Sequence, residues 1–522
     1  MCGRFDIGKA HEKIEKSPVI ATFMPSAAPG FDLFNEWSQT PPRTSEPARF
    51  LKDVQQQAIA TDHDKIASIT FPIPSITPWA ALSALGKAHH RHVYYDSPQP
   101  WALVGLDVAV GYSGAGAARF DQAQQFIQSW RSQFVYAEPI AKTVFAGRFF
   151  CSATFFNQPS PQPSPQLYNQ PANQSSAPSF EASDCAPFAP VYVFVPRVQV
   201  MTMDGASTVT FNCLMRADTD IEAMVNRVQA QILTLNATTS IGEARSASQK
   251  IVVKDVAAFE QTVAGALSQV SHSVDSLHKV VLADVMDVVA PQAVDVVRSL
   301  QTLRKNHPDC TVFSVGNGRG QSFIGASPER LLSINEGQLT TDALAGSASR
   351  GKTPNADRAI GQSLLDSEKE RYEHRVVVDF IVRQLRSLNL IPHHAANPKL
   401  LQLLHIQHLH TPITATLDPA KISPLDILAK LHPTPAVAGL PREPACQLIS
   451  QHETFDRSLY AAPLGWIDTR GNSEFIVGIR SALIDGCKAR LYAGAGIVAG
   501  SEPAKELAEI RLKLQTLLNA LV

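Results

Sequence analysis

QSFIGASPERLL (321–332), TTDALAGSASRGKT (340–353) and LLDSEKERYEH (364–374) decide how this chain is read, and two acids, Glu329 and Glu373, stand in its outer blocks. Pro328 fixes φ and donates no backbone hydrogen bond, so the strand predicted from Phe323 should stop pairing at the Ser-Pro-Glu-Arg turn. Glu329 then projects from a strand end. From Ala356 onward, Ile360, Leu364, Val376, Val377, Phe380, Ile381 and Leu385 recur at helical spacing, with charges between them. Glu373 therefore falls on a helix.

Working outward, LHKVVLADVMDVV (277–289) is apolar and β-branched, the pattern of a buried strand, and Lys279 lies at its start. A helix at 255–270 precedes it; a helix at 291–306 and a strand at 310–315 follow. Downstream the patterns predict a helix at 374–389, a His-bearing strand at 402–411 and helices at 424–432 and 441–452. Three strands come next, LGWID (464–468), EFIVGIRSALI (474–484) and ARLYAGAGIV (489–498), separated by turns at Arg470-Gly471-Asn472 and Asp485-Gly486. The last helix, 503–521, carries Glu506, Glu509 and Lys513. Upstream, HVYYDSPQPWALVGLDVAV (92–110) alternates turn-formers with strand-formers, and 120–134 reads as an amphipathic helix. Residues 157–180, rich in Pro, Gln, Ser and Asn, hold too little apolar surface to offset ordering and are expected to form a disordered insert. VYVFVPRVQVMTM (191–203) and STVTFNCLMRA (207–217) flank a turn at Asp204-Gly205.

The 522 residues are 44% apolar and 18% charged with a formal net charge of −1, so the chain buries a sizeable core and carries no bulk field for nucleic acid or anionic membrane. Length alone suggests about three domains. Seven cysteines are scattered without CxxC pairing and are expected to be reduced thiols in the cytoplasm, small hydrophobes for the most part. No run approaches the ~20 apolar residues of a membrane span. The opening MCGRF resembles the start of abasic-DNA-capturing proteins that use Cys2, but no partner motif accompanies it.

Gly346 to Thr353 satisfies the phosphate-loop pattern GxxxxGK[ST], and Val376 to Asp379 imitates its companion strand. Context opposes a nucleotide site: Pro354 biases Thr353 away from helical dihedrals and offers no N–H to a phosphate, and Asp379 falls in a helical period. Gly316-Asn-Gly-Arg-Gly320 lies between two strands and reads as a hairpin turn. His405, His408 and His410 alternate along an apolar strand, where packed or hydrogen-bonded imidazoles are commoner than metal ligands.

GASPERLL (325–332), ALAGSASR (343–350) and SEKERYEH (367–374) resemble the signature blocks of the chorismate-utilising enzymes, which include isochorismate, anthranilate and salicylate synthases. LHPTPAVAG (431–439), FDRSLYAAPLGWID (455–468), EFIVGIRSALI and RLYAGAGIV (490–498) extend the resemblance in matching order from about Val253 to Val522. It is faint over the first 250 residues. The resemblance implies an α/β (α+β) fold of large antiparallel sheets packed as a sandwich with helices outside, with 1–250 as a divergent N-terminal half and 251–522 as the chorismate-binding catalytic region.

It also implies residue roles. Lys279 matches the lysine that activates water, and Glu329 the glutamate that protonates the leaving hydroxyl. Glu373 and Glu509 match the carboxylates that hold Mg²⁺, with Glu370 and Glu506 behind them. Gly346, Ser347, His408, Arg480, Tyr492, Gly494, Gly496 and Lys513 match positions around the substrate, a dianion that needs cations and amides. A lysine at 279, where anthranilate synthases typically carry glutamine, points to water rather than ammonia. The implied activity is a Mg²⁺-dependent isomerisation of chorismate to isochorismate by a cytoplasmic hydroxymutase, serving menaquinone or phylloquinone synthesis, with a salicylate synthase as the alternative. Val437 and Tyr460 are positions that bear on that choice. The implied roles leave monomer and homodimer both open.

A lysine that serves as base at neutral pH calls for burial or a neighbouring cation, and an acid that stays protonated calls for a raised pKa.

Overall fold

Two large sheets organise the computed structural model, which describes residues 45–86, 91–137, 147–158, 186–238, 252–254, 259–270, 277–404 and 406–521. The first has thirteen strands, in the order Val252–Lys254, Lys279–Val289, Lys488–Val498, Ser481–Asp485, Gln321–Ser327, Thr311–Asn317, Arg91–Asp96, Trp101–Leu106, Val198–Met203, Ala206–Met215, Lys65–Ile73 and Phe134–Tyr136, with Gly439–Leu440 added to Lys279–Val289. The second has ten: His393–His394, Ile406–Thr416, Gln338–Ser349, Arg330–Asn335, Ser473–Val477, Pro463–Asp468, Arg148–Ala153, Val191–Val195 and Val110–Gly114, with Lys399–Gln402 added to Ile406–Thr416. Among the described strands of both sheets, pairing is antiparallel except between Lys65–Ile73 and Phe134–Tyr136.

Val93, Tyr95, Phe313 and Val315 of the first sheet face Phe150, Phe194 and Leu464 of the second across a narrow interior. Each fully buried side chain of this size contributes roughly 1.5–3 kcal/mol. Helices flank the sheets: Glu368–Ser387 packs on Gln338–Ser349, and Pro503–Leu521 on Lys488–Val498. This is the sandwich that the resemblance implies. Strands from before and after residue 250 share both sheets, and Thr44–Val522 forms one unit, where length suggested about three domains. No helix among the described residues is long and apolar enough to cross a membrane. Cys2, His405 and nearly all of the insert expected at 157–180 lie outside the described residues.

Two stretches expected to be continuous strands, 191–203 and 474–484, are split between the two sheets, and so is 321–332, where Pro328 predicts the break. Val191–Val195 and Val198–Met203 part at Pro196-Arg197, Gln321–Ser327 and Arg330–Asn335 at Pro328-Glu329, and Ser473–Val477 and Ser481–Asp485 at Gly478 to Arg480. Proline ends the ladder in the first two because it has no N–H. Arg480 turns the third with φ +50°. The helical period after residue 354 is likewise broken, into Pro354–Asp366 and Glu368–Ser387. Ser367 ends one helix and caps the next by accepting from the Glu370 amide.

Lys279 is set in place by its strand's neighbours. It pairs with Val498 on one side and Leu440 on the other. The approach is close enough that Gly439, at φ +131°, has no room for a side chain: a Cβ there would strike the Lys279 carbonyl and lie 2.8 Å from the Val280 Cα. Gly439→Ala is therefore expected to cost about 3 kcal/mol through backbone strain and overpacking, read from the denaturant midpoint. An unchanged midpoint would contradict this packing.

Candidate active site

Lys279, Glu329, Gly346, Ser347, Glu373, His408, Arg480, Tyr492, Gly494, Gly496, Glu509 and Lys513 all line one cleft of about 220 Å³. They come from both sheets, from two sheet-to-sheet crossings and from the helices Glu368–Ser387 and Pro503–Leu521.

Glu329 and Arg480 sit on crossings that are hydrogen-bonded to each other. The Ser327 hydroxyl donates to the Val477 carbonyl at 2.6 Å, the Val477 amide to the Glu329 carbonyl at 3.1 Å, and the Ala326 amide to the Arg480 carbonyl at 3.1 Å. The Glu329 amide donates to Ser327 Oγ at 3.2 Å. Glu329 is left only 6% exposed. Burial, reinforced by the Asp342 charge and opposed by Lys279, pushes its carboxyl up to about 8. Burial would raise Asp342 too, but Arg330 and His410 hold that carboxyl below its ordinary value. A fixed charge thus stands behind a neutral acid.

Lys279 is 7% exposed, and its Nζ lies 3.3 Å from Glu373 Oε2. Its partner is a carboxylate, not the cation that sequence reasoning offered as one source of activation. Gly496 makes room for it, since a Cβ there would lie 3.0 Å from Lys279 Cε.

On the opposite wall, His408 Nδ1 lies 2.8 Å from Ser347 Oγ and Nε2 lies 3.4 Å from an Arg480 nitrogen. Burial, helped by the charges of Arg480 and Lys513, pushes the imidazole down to about 3, so it is neutral. Because a guanidinium only donates, Nε2 accepts and the ring proton sits on Nδ1, facing Ser347. The serine hydroxyl is then free to donate into the cleft. Gly346 next to it forms a β-bulge between Ala345 and Ser347, with φ +79°, so its glycine serves the bulge as well as the cleft.

The floor is acidic. Glu370 and Glu373 share one helix face, Glu506 and Glu509 another, and all four reach the cleft. Burial raises the Glu370 carboxyl, with the Glu373 charge adding to it; burial raises Glu506 too, with Glu509 and Glu373 adding. Repelling oxygen donors around one space are the donor set of a hard divalent cation. In this conformation Lys279 holds Glu373, while Lys513 holds Glu509 at 2.7 Å and donates to the Gly494 carbonyl at 2.8 Å. No three acidic, histidine or cysteine side chains among the described residues close on one point.

Sequence reasoning missed several walls of the cleft: Val281, Leu344, Lys369, Ala436 and Ile479. Strand alternation from Lys279 gives Val281, and the i−4 position from Glu373 gives Lys369; the others carry no chemical signal. Tyr460 stacks on Tyr492 with ring centroids 5.3 Å apart, and burial holds both phenols protonated. The phosphate-loop pattern forms no cradle. Gly346 to Ser349 is strand, and Asp357 occupies the Gly351 amide at 2.8 Å while pairing with Arg350. Gly316 to Gly320 turns a hairpin between Thr311–Asn317 and Gln321–Ser327, and His410 binds Asp342.

Three comparisons bear on this site. A relative in Pseudomonas aeruginosa, named as a salicylate biosynthesis isochorismate synthase, is 46% identical over 222 residues, or 42% of this chain and 46% of its own length. The chain thus spans under half of that protein. An isochorismate synthase of Bacillus subtilis is 35% identical over 63% of this chain and 69% of its own. One of Escherichia coli is 36% identical over 53% and 71%. In fold, the menaquinone-specific isochorismate synthase from Escherichia coli superposes with a TM-score of 0.70 over 90% of this chain and 100% of its own, at 24% identity. An anthranilate synthase component from Streptococcus pneumoniae gives 0.62 over 80% and 92%, at 18%. The model of the chorismate binding enzymes matches residues 52–522, and this chain belongs to that family.

Proposed function

We propose that the protein is an isochorismate synthase, a hydroxymutase that interconverts chorismate and isochorismate. One observation carries the reading: a buried lysine and a buried, protonated glutamic acid face a single cleft that also presents fixed cations and a carboxylate floor. The names of the relatives support the same reaction.

In this reading Arg480, Lys513 and the Ser347 hydroxyl receive the substrate's carboxylates, the guanidinium through its planar fork. Lys279 takes a proton from water as the oxygen adds at C2. Glu329 gives its proton to the C4 hydroxyl, which departs as water while the ring double bonds shift. One water enters and one leaves, so the product is an isomer. The proton on Lys279 returns to Glu329 through solvent. Burial serves Glu329 directly, since a solvated carboxyl would have no proton to give at neutral pH. Mg²⁺ is the cation that Glu373 and Glu509 would hold, with Glu370 and Glu506 behind them; bound there it supplies counter-charge for a substrate carboxylate and competes with Lys279 for Glu373.

We place the enzyme in the cytoplasm, in keeping with five free cysteines among the described residues. The quinone destination of the product rests on the divergent N-terminal half, whereas the name of the Pseudomonas relative favours salicylate; both draw on this isomerisation.

Two predictions follow from the acid–base pair. Lys279→Ala should reduce turnover of chorismate to background with circular dichroism unchanged, and EDTA should abolish wild-type turnover until Mg²⁺ is restored. Chromatography should show isochorismate; salicylate with equimolar pyruvate would replace this reading by a salicylate synthase, and turnover retained by Lys279→Ala would remove the base.

The second concerns stability. Between its ordinary value of 4.5 and about 8, Glu329 keeps in the folded chain a proton that the unfolded chain releases, so its ionisation penalty lowers stability as pH rises through that window. Glu329→Gln should be inactive yet melt higher by roughly 2–4 °C at about pH 8, with the gain vanishing towards the acid end of the window. An equal gain at both ends would contradict the raised carboxyl.

A further inference from the structure

Among the described residues, the strand that carries Lys279 has no continuous backbone partner on its outer edge. Gly439–Leu440 covers Lys279 and Val280, and Val252–Lys254 covers Asp287 to Val289. The Val281 amide still reaches the Ala438 carbonyl at 2.8 Å. Beyond it the edge is completed by side chains. Arg457 Nη2 donates to the Val281 carbonyl at 2.7 Å, Glu453 Oε1 accepts from the Ala283 amide at 2.8 Å, and Asp284 Oδ1 accepts from the Val285 amide at 2.8 Å.

Glu453 and Arg457 are themselves an ion pair, at 2.5 and 2.7 Å, with side chains 3% and 0% exposed. The same guanidinium donates through Nη1 to the Val437 carbonyl at 3.0 Å and lies over the rings of Phe155 and Tyr460, 4.4 and 5.7 Å from their centroids. Val281, Val437 and Tyr460 are all walls of the cleft. One buried cation therefore ties three of them together. A pair sealed from water is a poor stabiliser, because desolvating both ions offsets most of their attraction. What it fixes is geometry, since the fork leaves little freedom to the groups it binds.

We infer that the Glu453–Arg457 pair is a clamp that positions Lys279 against the substrate cleft, acting from behind it without touching substrate. The inference rests on the reading of Lys279 as the base. Arg457 holds the carbonyl two residues along the strand from Lys279, and Glu453 the amide two residues further. Without them, this edge has no backbone partner between Val281 and Val285 in the described structure. The clamp also joins that strand to the Val437 wall, so base and wall move as one body.

The test compares Arg457→Lys and Glu453→Gln with the wild-type enzyme. Both are expected to stay folded and to keep the KM for chorismate within a few fold, while kcat falls by roughly 10²-fold, the penalty of a reacting group displaced by about 1 Å. A structural role alone would not move the solvent isotope effect on kcat, which should rise as proton abstraction by a misplaced Lys279 becomes limiting. Hydrogen exchange provides a readout that survives loss of activity or folding in either variant: the Ala283 amide should be as protected in the wild-type protein as ladder amides of the strand, and unprotected in folded Glu453→Ala, which leaves it no acceptor. Unchanged kcat and isotope effect in folded variants, or an unprotected Ala283 amide in the wild type, would overturn the clamp. Should Lys279→Ala remain active, the base assignment fails instead, and the two failures are told apart.

Discussion

Two short crossings between the sheets, one at Pro328-Glu329 and one at Gly478 to Arg480, are sewn to each other through Ser327, Val477, Ala326 and Arg480, and the cleft depends on that seam. A strand leaving a sheet normally strands its backbone polar groups, which must be paired when buried. Here each crossing supplies the partners that the other lacks. The outcome is that an acid and a guanidinium, 151 residues apart in sequence, are held by backbone bonds rather than by flexible loops. Side-chain freedom is then the only freedom left to them.

Charge is distributed in the cleft with the same economy. The buried Asp342 is held ionised by Arg330 and His410, and its field reaches Glu329 and helps keep that carboxyl protonated. His408, stripped of charge by burial and by Arg480, becomes an acceptor for the arginine and orients Ser347. Two acids of the floor, Glu373 and Glu509, are each paired with a lysine, Lys279 and Lys513. A dianionic ring with an accompanying divalent cation adds no net charge to such a site, whereas a neutral ligand would leave its ions with nothing to do but hold one another.

Much of this was legible in the chain before any coordinates. Pro328 announces the strand end that exposes Glu329, helical spacing puts Glu373 and Glu509 on helices, and the apolar, β-branched run Val280 to Val289 predicts a buried strand starting at Lys279. The splitting of two strands, 191–203 and 474–484, between sheets was not legible, because β-propensity runs unbroken through VYVFVPRVQV and EFIVGIRSALI and says nothing about which sheet receives each half. Nor was the break at Ser367, where the apolar period continues across a serine that serves as both end and cap. The carboxylate beside Lys279 and the buried Glu453–Arg457 pair are long-range contacts, which local pattern does not encode.

The central claim is that this cleft adds water to one carbon of a chorismate ring while a hydroxyl leaves another. Turnover of chorismate in H₂¹⁸O tests it directly. The account predicts isochorismate carrying a single ¹⁸O in the hydroxyl at C2, found by mass spectrometry and by the isotope shift on that carbon's NMR signal. Isochorismate without label would mean that the original hydroxyl migrates within the ring, and would contradict the roles given to Lys279 and Glu329.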